Sequence, residues 1–174
     1  MKELMIIDDK FLSNESKEFI ENYILTRHFP LYMQGESVVD DETPFLNHVV
    51  LARPEMKDFT EKHEHHDTFV KMLNEFCDKN NISYSEVLRI CVNFTFCNGV
   101  RDISPVHVDH EFEHSQLIVY LNQPMDRQSF TVILNKDETK IAPKKYRGVS
   151  FGKIDHYHHY PKVGGRYVLI FTFR

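Results

Sequence analysis

From Leu88 to Cys97 the chain alternates without a break. Leu88, Ile90, Val92, Phe94 and Phe96 fall on one side of an extended strand, and Arg89, Cys91, Asn93, Thr95 and Cys97 on the other,. A strand of this kind must sit in a sheet that is covered on its apolar side. Its polar side faces either solvent or the polar interior of a barrel. Further short segments with strand character follow at Gln116–Leu121, Ser129–Leu134, Lys140–Pro143, Gly148–Ile154 and Arg166–Phe173. They are divided by turn signals at Gln123-Pro124, Asn135-Lys136-Asp137, Lys144-Lys145 and Gly164-Gly165,. Many short strands at regular spacing predict a sandwich or jelly roll.

The material to cover the apolar side comes earlier in the chain. After a short strand at Met5–Asp8, Ser13 is placed to cap a helix whose Phe19, Ile20, Tyr23 and Ile24 share a face,. A second helical pattern runs through Phe69, Val70, Met72, Leu73, Phe76 and Cys77,. Between them, residues 28–60 hold Pro30, Pro44 and Pro54 and a strand candidate at Asn47–Ala52. The expectation is a mainly β protein with flanking helices and an N-terminal helical layer. It reads as a single domain over 1–174, with 1–86 a mixed helical support and 87–174 the core barrel. A chain of 174 residues is long enough to bury such a core,. No apolar run reaches the length of a membrane span, and Met1–Asp9 is too short and acidic for a signal peptide,. Cys77, Cys91 and Cys97 show no zinc-type spacing and read as reduced thiols, so an intracellular, soluble, cytoplasmic protein is expected,. A net charge of −5 argues against nucleic acid as a partner,.

Chemistry concentrates where the alternating strand has ended, in Pro105-Val106-His107-Val108-Asp109-His110. Two residues apart on extended backbone, His107 and Asp109 leave the same face and can grip adjacent corners of a metal octahedron. A third corner is available in Asp155-His156-Tyr157-His158-His159-Tyr160. Two histidines and a carboxylate form the facial triad of non-haem Fe(II) sites. The His-x-Asp pattern alone is a weak signal in a chain with 11 histidines, and His65-His66-Asp67 repeats it,. That copy opens a helical pattern, where Glu61–Asp67 reads as a solvated first turn. His107-Val108-Asp109 instead lies among β-branched residues ahead of a strand. His28 and His48 read as packing or surface residues, and His110 and His114 as residues of the loop after the motif, exposed or near the site mouth.

Taken together, His107-Val108-Asp109, Tyr120-Leu121-Asn122, a distal histidine and Arg166 resemble the 2-oxoglutarate/Fe(II)-dependent dioxygenase superfamily, and most of all its prolyl 4-hydroxylase-like branch in the short phage-encoded form. The opening Ile6-Ile7-Asp8-Asp9-Lys10-Phe11-Leu12-Ser13 resembles that branch too. The resemblance implies a double-stranded β-helix, or jelly roll, with iron held by His107, Asp109 and the distal histidine. It implies 2-oxoglutarate and O2 as co-substrates, with Arg166, and secondarily Tyr120, on the far carboxylate of 2-oxoglutarate. A guanidinium can grip a carboxylate bidentately, which suits Arg166 to that place. His156 stands ten residues before Arg166, the spacing of many such hydroxylases, while His158 and His159 stand as alternatives. Pro161, five residues after His156, departs from the family spacing of four. The activity implied is hydroxylation of a substrate C–H bond, with a prolyl residue of a peptide or protein as the default and a small molecule as the other option. If the chain is phage-encoded, the host cytoplasm is the expected location.

Two other classes fit parts of the pattern. A cupin-like metal protein would use the same barrel without 2-oxoglutarate, and a jelly-roll interaction protein would use neither metal nor co-substrate. Arg166 separates the first, because a cupin needs no cation ten residues beyond its last ligand. The order His107, Asp109, His156, Arg166 argues against the second. Asn93 and Thr95 lie on the polar strand face, where lining a co-substrate site and forming a plain polar wall are both open. Tyr157, Tyr160 and Tyr167 read as packing aromatics.

Overall fold

A computed structural model of the chain describes residues 5–36, 42–56, 63–97 and 99–174. Its strands are β1 (Ile6–Asp8), β2 (Tyr32–Gln34), β3 (Phe45–Leu51), β4 (Val87–Phe96), β5 (Ser115–Tyr120), β6 (Thr131–Leu134), β7 (Glu138–Ile141), β8 (Gly148–Phe151), β9 (His156–His158) and β10 (Gly165–Phe173). The helices are α1 (Asn14–Phe19), continued by a π-helical turn at Ile20–Ile24, and α2 (His66–Lys79). Seven strands form one sheet in the order β1-β8-β5-β10-β4-β3-β2, and three form a second in the order β7-β6-β9. Every pairing is antiparallel. This is the jelly roll that the strand spacing and the family resemblance predict.

The large sheet has two faces with different tasks. Ile90 and Val92 of β4, Leu117 and Val119 of β5, and Leu169 and Phe171 of β10 join Phe69, Met72, Leu73 and Phe76 of α2 and Ile20 and Ile24 of the N-terminal helix in one buried cluster. The apolar face of the alternating strand therefore packs under the N-terminal helices, as its period requires. Ser13 caps α1 by accepting a hydrogen bond from the Ser16 backbone amide. Its hydroxyl donates to Glu75 of α2 at 2.6 Å, tying the two helices together. Gly148 marks how closely α2 approaches the sheet, since a Cβ there would stand 2.7 Å from Phe11 and 2.8 Å from Phe76.

The opposite face of the large sheet meets the small one. Ile118 and Tyr120 of β5, Val149 and Phe151 of β8 and Val168 of β10 pack with Ile133 of β6 and Ile141 of β7. Toward one side this second core gives way to a cavity of about 510 Å³. Arg89, Asn93 and Thr95 of β4 line it, so the polar face of that strand is an interior wall. Phe45, Asn47, Val49 and Leu51 of β3 line it as well. The first half of the chain thus supplies part of the cavity as well as the helical layer.

Candidate metal centre and its cavity

The register of two short segments builds the centre. His107 and His156 face each other across an isolated antiparallel bridge, each backbone amide donating to the other's carbonyl at 3.0 Å. Side chains of a directly opposed pair leave the same face, and the two imidazole rings lie 4.5 Å apart, centroid to centroid. Each Nδ1 is held against the carbonyl two residues back, Pro105 for His107 and Ile154 for His156, both at 3.0 Å. A ring that donates from Nδ1 presents a bare lone pair at Nε2. Asp109, one pleat beyond His107, brings Oδ2 to 3.6 Å from His156 Nε2. Among the described residues, His107, Asp109 and His156 are the one group of metal-ligand side chains whose donor atoms all lie within 4.8 Å of one another.

Charge is arranged to keep these donors bare. Burial pushes the His156 imidazole down to about 4, a fall that the adjacent Asp109 only partly offsets. It is therefore neutral at pH 7, the state a ligand needs. Burial alone would raise the Asp109 carboxyl, but Arg89, His156 and Arg53 outweigh it and hold the group well below the usual carboxylate range. Arg89 Nη1 and Arg53 Nη2 donate to Asp109 Oδ1 at 2.8 and 3.0 Å, and Arg53 Nη1 donates to the Asp109 carbonyl. Oδ1 is thereby spoken for, and Oδ2 is left for the centre.

Arg166 sits in the same cavity, on β10 opposite Thr95 of β4. It is 3% exposed. Its Nη2 donates to Thr131 Oγ1 at 2.6 Å, its Nε has no partner, and it forms no ion pair among the described residues. Tyr120 is fully buried behind it: its hydroxyl donates to Thr131 at 2.7 Å, and the Arg166 guanidinium lies 5.3 Å from the centre of its ring. Thr131, rather than Tyr120, reaches the cavity wall. Near Arg166 and the histidines, Thr95 Oγ1, Gln116 Oε1 and His158 Nε2 are also buried without partners, and all four residues line the cavity.

The histidines separate cleanly by position. His158 shares the cavity but lies outside the close donor group. Its Nε2 points into the interior without a partner, and burial, then Arg166, hold the ring well below its ordinary value. His159 turns the other way, its ring edge-on to Phe130 at 5.7 Å.

Of the two alternatives for His110 and His114, exposure is excluded, since they are 3% and 5% exposed. His110 is held by Thr172 at 2.8 Å and Glu55 at 3.1 Å, and the His114 ring lies edge-on to it at 4.9 Å. Through His110 and Thr172 the segment after Asp109 is tied to the end of β10. In the His65–Asp67 decoy, the His65 ring packs on Tyr23 at 4.4 Å and His66 bonds Asp67 at its own helix start. Glu61 and Lys62 of that stretch lie outside the described residues. His28 is exposed, and His48 is buried with Nδ1 at 2.8 Å from the Pro30 carbonyl.

Arg53 was not legible as a site residue, because it sits among prolines with no periodicity to place it. Arg89 did leave a trace: an arginine on the inward polar face of an otherwise buried strand.

No family model matches the sequence, and no curated protein matches it in sequence. Similar solved structures exist. An oxidoreductase of the 2OG-Fe(II) oxygenase family from Burkholderia pseudomallei superposes with a TM-score of 0.72 at 13% identity, over 97% of this chain and 84% of that one. A prolyl hydroxylase from Trichoplax adhaerens, solved with a hypoxia inducible factor oxygen degradation domain peptide, gives 0.67 at 14%, over 99% and 84%. The viral collagen prolyl hydroxylase of Paramecium Bursaria Chlorella virus-1, in a 2OG complex, gives 0.63 at 18%, over 99% and 97%. At such identities the likeness is one of fold.

Proposed function

We propose that the protein is a 2-oxoglutarate- and Fe(II)-dependent dioxygenase that hydroxylates its substrate, with His107, Asp109 and His156 as metal ligands and Arg166 as the anchor of the co-substrate. The observation that carries this reading is the pairing, in one cavity, of three converging N and O donors with a buried guanidinium that lacks a carboxylate partner. Mixed nitrogen and oxygen donors suit Fe(II). A buried charge is normally paired, and the distal carboxylate of 2-oxoglutarate would supply the pair. The solved neighbours, two of them prolyl hydroxylases, support the same reading by fold. They make a prolyl residue of a peptide or protein the first substrate to test.

When bound, Fe(II) and 2-oxoglutarate would supply the oxidation of a C–H bond by O2. The chain's own part is to hold and to exclude. Pro105 and Ile154 fix the tautomer and aim of the two imidazoles through Nδ1. Arg53 and Arg89 keep Asp109 ionised and turned so that Oδ2 faces the histidines. Thr131 orients the Arg166 fork, and Tyr120 in turn bonds Thr131. Ile118, Val168 and Ile170 give the cavity an apolar wall that limits water,.

Calorimetry tests the proposal. One Fe(II), or Mn(II) in its place, should bind per chain, and 2-oxoglutarate should bind the metal-loaded protein. Metal binding without any 2-oxoglutarate binding would favour a cupin-like protein instead.

A further inference from the structure

The cavity has cationic side chains at both ends, and the co-substrate uses only one. The register of β4 and β10 sets the separation: Arg166 stands opposite Thr95, whereas Arg89 stands opposite Thr172, six residues along each strand. That is roughly 20 Å of extended chain. Asp109 lies at the Arg89 end, so Arg53 and Arg89 sit on the far side of the candidate metal centre from Arg166. Both line the cavity, with side chains 33% and 13% exposed.

At that end two guanidinium groups meet the single carboxylate of Asp109. Glu55, on the same segment as Arg53, is hydrogen-bonded to His110 and attracts Arg53 from outside the cavity, whose wall it does not join. Glu36 is the one other carboxylate on the cavity wall among the described residues, and it is exposed. Among the described residues, the cavity therefore sets these two guanidiniums against one buried carboxylate. A divalent ion on Asp109 Oδ2 would draw on the same negative charge and leave the two guanidiniums less of it. Partly buried like charges are tolerated where an anion arrives to meet them. Two guanidiniums carry ten N–H donors between them, of which Asp109 takes three and the Cys91 sulfur engages Arg89 as well. Between the two ends, two residues from Thr95, Asn93 accepts from Asn47 at 2.6 Å, which turns its own amide N–H donors away from that bond.

We infer that Arg53 and Arg89 form a second anion subsite that takes an oxyanion, carboxylate or phosphate, carried by the substrate. This deepens the proposed function and rests on it. A substrate with its acidic group at Arg53 and Arg89 would lie across the metal centre from 2-oxoglutarate, with the part to be oxidised between the two. The subsite selects for an acidic small molecule or a peptide with an acidic residue near the target, and against a wholly neutral peptide.

The experiment uses the full chain loaded with Mn(II) and with N-oxalylglycine, a non-reacting diacid in place of 2-oxoglutarate. Inorganic phosphate and, separately, acetate are titrated in while their nuclear relaxation by Mn(II) is followed. Mn(II) and N-oxalylglycine binding are measured on the same sample. The inference expects saturable binding of at least one anion outside the metal's own coordination sphere, weakened about tenfold or more in Arg53→Gln and less in Arg53→Lys. Tighter phosphate than acetate would identify a phosphorylated substrate class, and the reverse a carboxylate. Anion binding unchanged in Arg53→Gln, no saturable binding, or coordination only at the metal would each overturn the inference while leaving the proposed function intact. Anions that displace N-oxalylglycine would overturn it as well, by making Arg53 and Arg89 part of the co-substrate site. Failure of Mn(II) or N-oxalylglycine to bind the unsubstituted chain would overturn the proposed function itself.

Discussion

Single side chains divide the candidate site into parts that can be removed one at a time. His156→Ala should lose metal affinity far more than His158→Ala or His159→Ala, because only His156 brings Nε2 into the donor group with Asp109. A metal titration on the three variants checks this, and a loss in His159→Ala matching that in His156→Ala would move the ligand. Arg166 tests the other half. Arg166→Ala should bind Fe(II) normally, since it touches no ligand, while a carboxylate in the cavity loses its partner. The cost is about 2–5 kcal/mol by analogy with buried charge pairs. In affinity for 2-oxoglutarate that is about one and a half to three and a half decades. Arg166→Lys keeps the charge without the fork and should fall between. Unchanged 2-oxoglutarate affinity in Arg166→Ala, read by calorimetry, would remove the main reason for preferring an oxygenase over a cupin-like protein.

At the scale of elements, the tight fit of α2 on the large sheet makes its own prediction. Gly148→Ala would place a methyl group inside the van der Waals contact of Phe11 and Phe76, both ring side chains with little room to yield. Overpacking of this kind costs about 1–3 kcal/mol, so a fall in the urea midpoint with unchanged slope is expected; an unchanged midpoint would show that the helix can ride outward freely. Elements were legible where local pattern decided them. The alternation of β4 gave both its faces, the apolar spacing of α2 gave its buried side, and Ser13 gave the cap of α1. What local pattern could not show was pairing. β2 is three exposed residues that exist as a strand only because β3 runs beside them. The segment expected as one strand over Gly148–Ile154 ends at Phe151, and β9 forms separately against β6. That break matters, because it takes the chain from β8 of the large sheet to β9 of the small one, where His156 bridges His107. His110 escaped for the same reason: its partners, Glu55 and Thr172, come from distant parts of the chain.

Across the whole molecule, holding a bare ligand set in a buried cavity has a consequence for stability in acid. Burial keeps His156 neutral down to about pH 4, and it pushes His158, His48, His63 and His110 in the same direction. An unfolded chain would protonate these rings near 6.5. Between those values the unfolded state binds more protons than the folded one, so folding stability falls as pH drops from 6.5 toward the folded-state values. His156 alone, moved from 6.5 to about 4, contributes on the order of 3 kcal/mol to that loss,. Asp109 acts in the same sense but later: its carboxyl is held below the unfolded value, so its contribution is present above about pH 4 and is lost only as pH falls further,. The metal-free protein should therefore lose stability in two stages, the first beginning near pH 6.5, above the range where carboxylates titrate. Urea midpoints of the metal-free chain at pH 7, 5.5 and 4.5 measure the first stage. His156→Gln, which removes the ionisable ring and keeps a polar side chain of similar reach, should flatten the slope between pH 6.5 and 4.5 whatever it does to the midpoint at pH 7. A midpoint that stays level from pH 7 to 4.5 in the native sequence would mean that the imidazole charges inside the fold at little cost, and that the cavity is far wetter than its apolar wall implies.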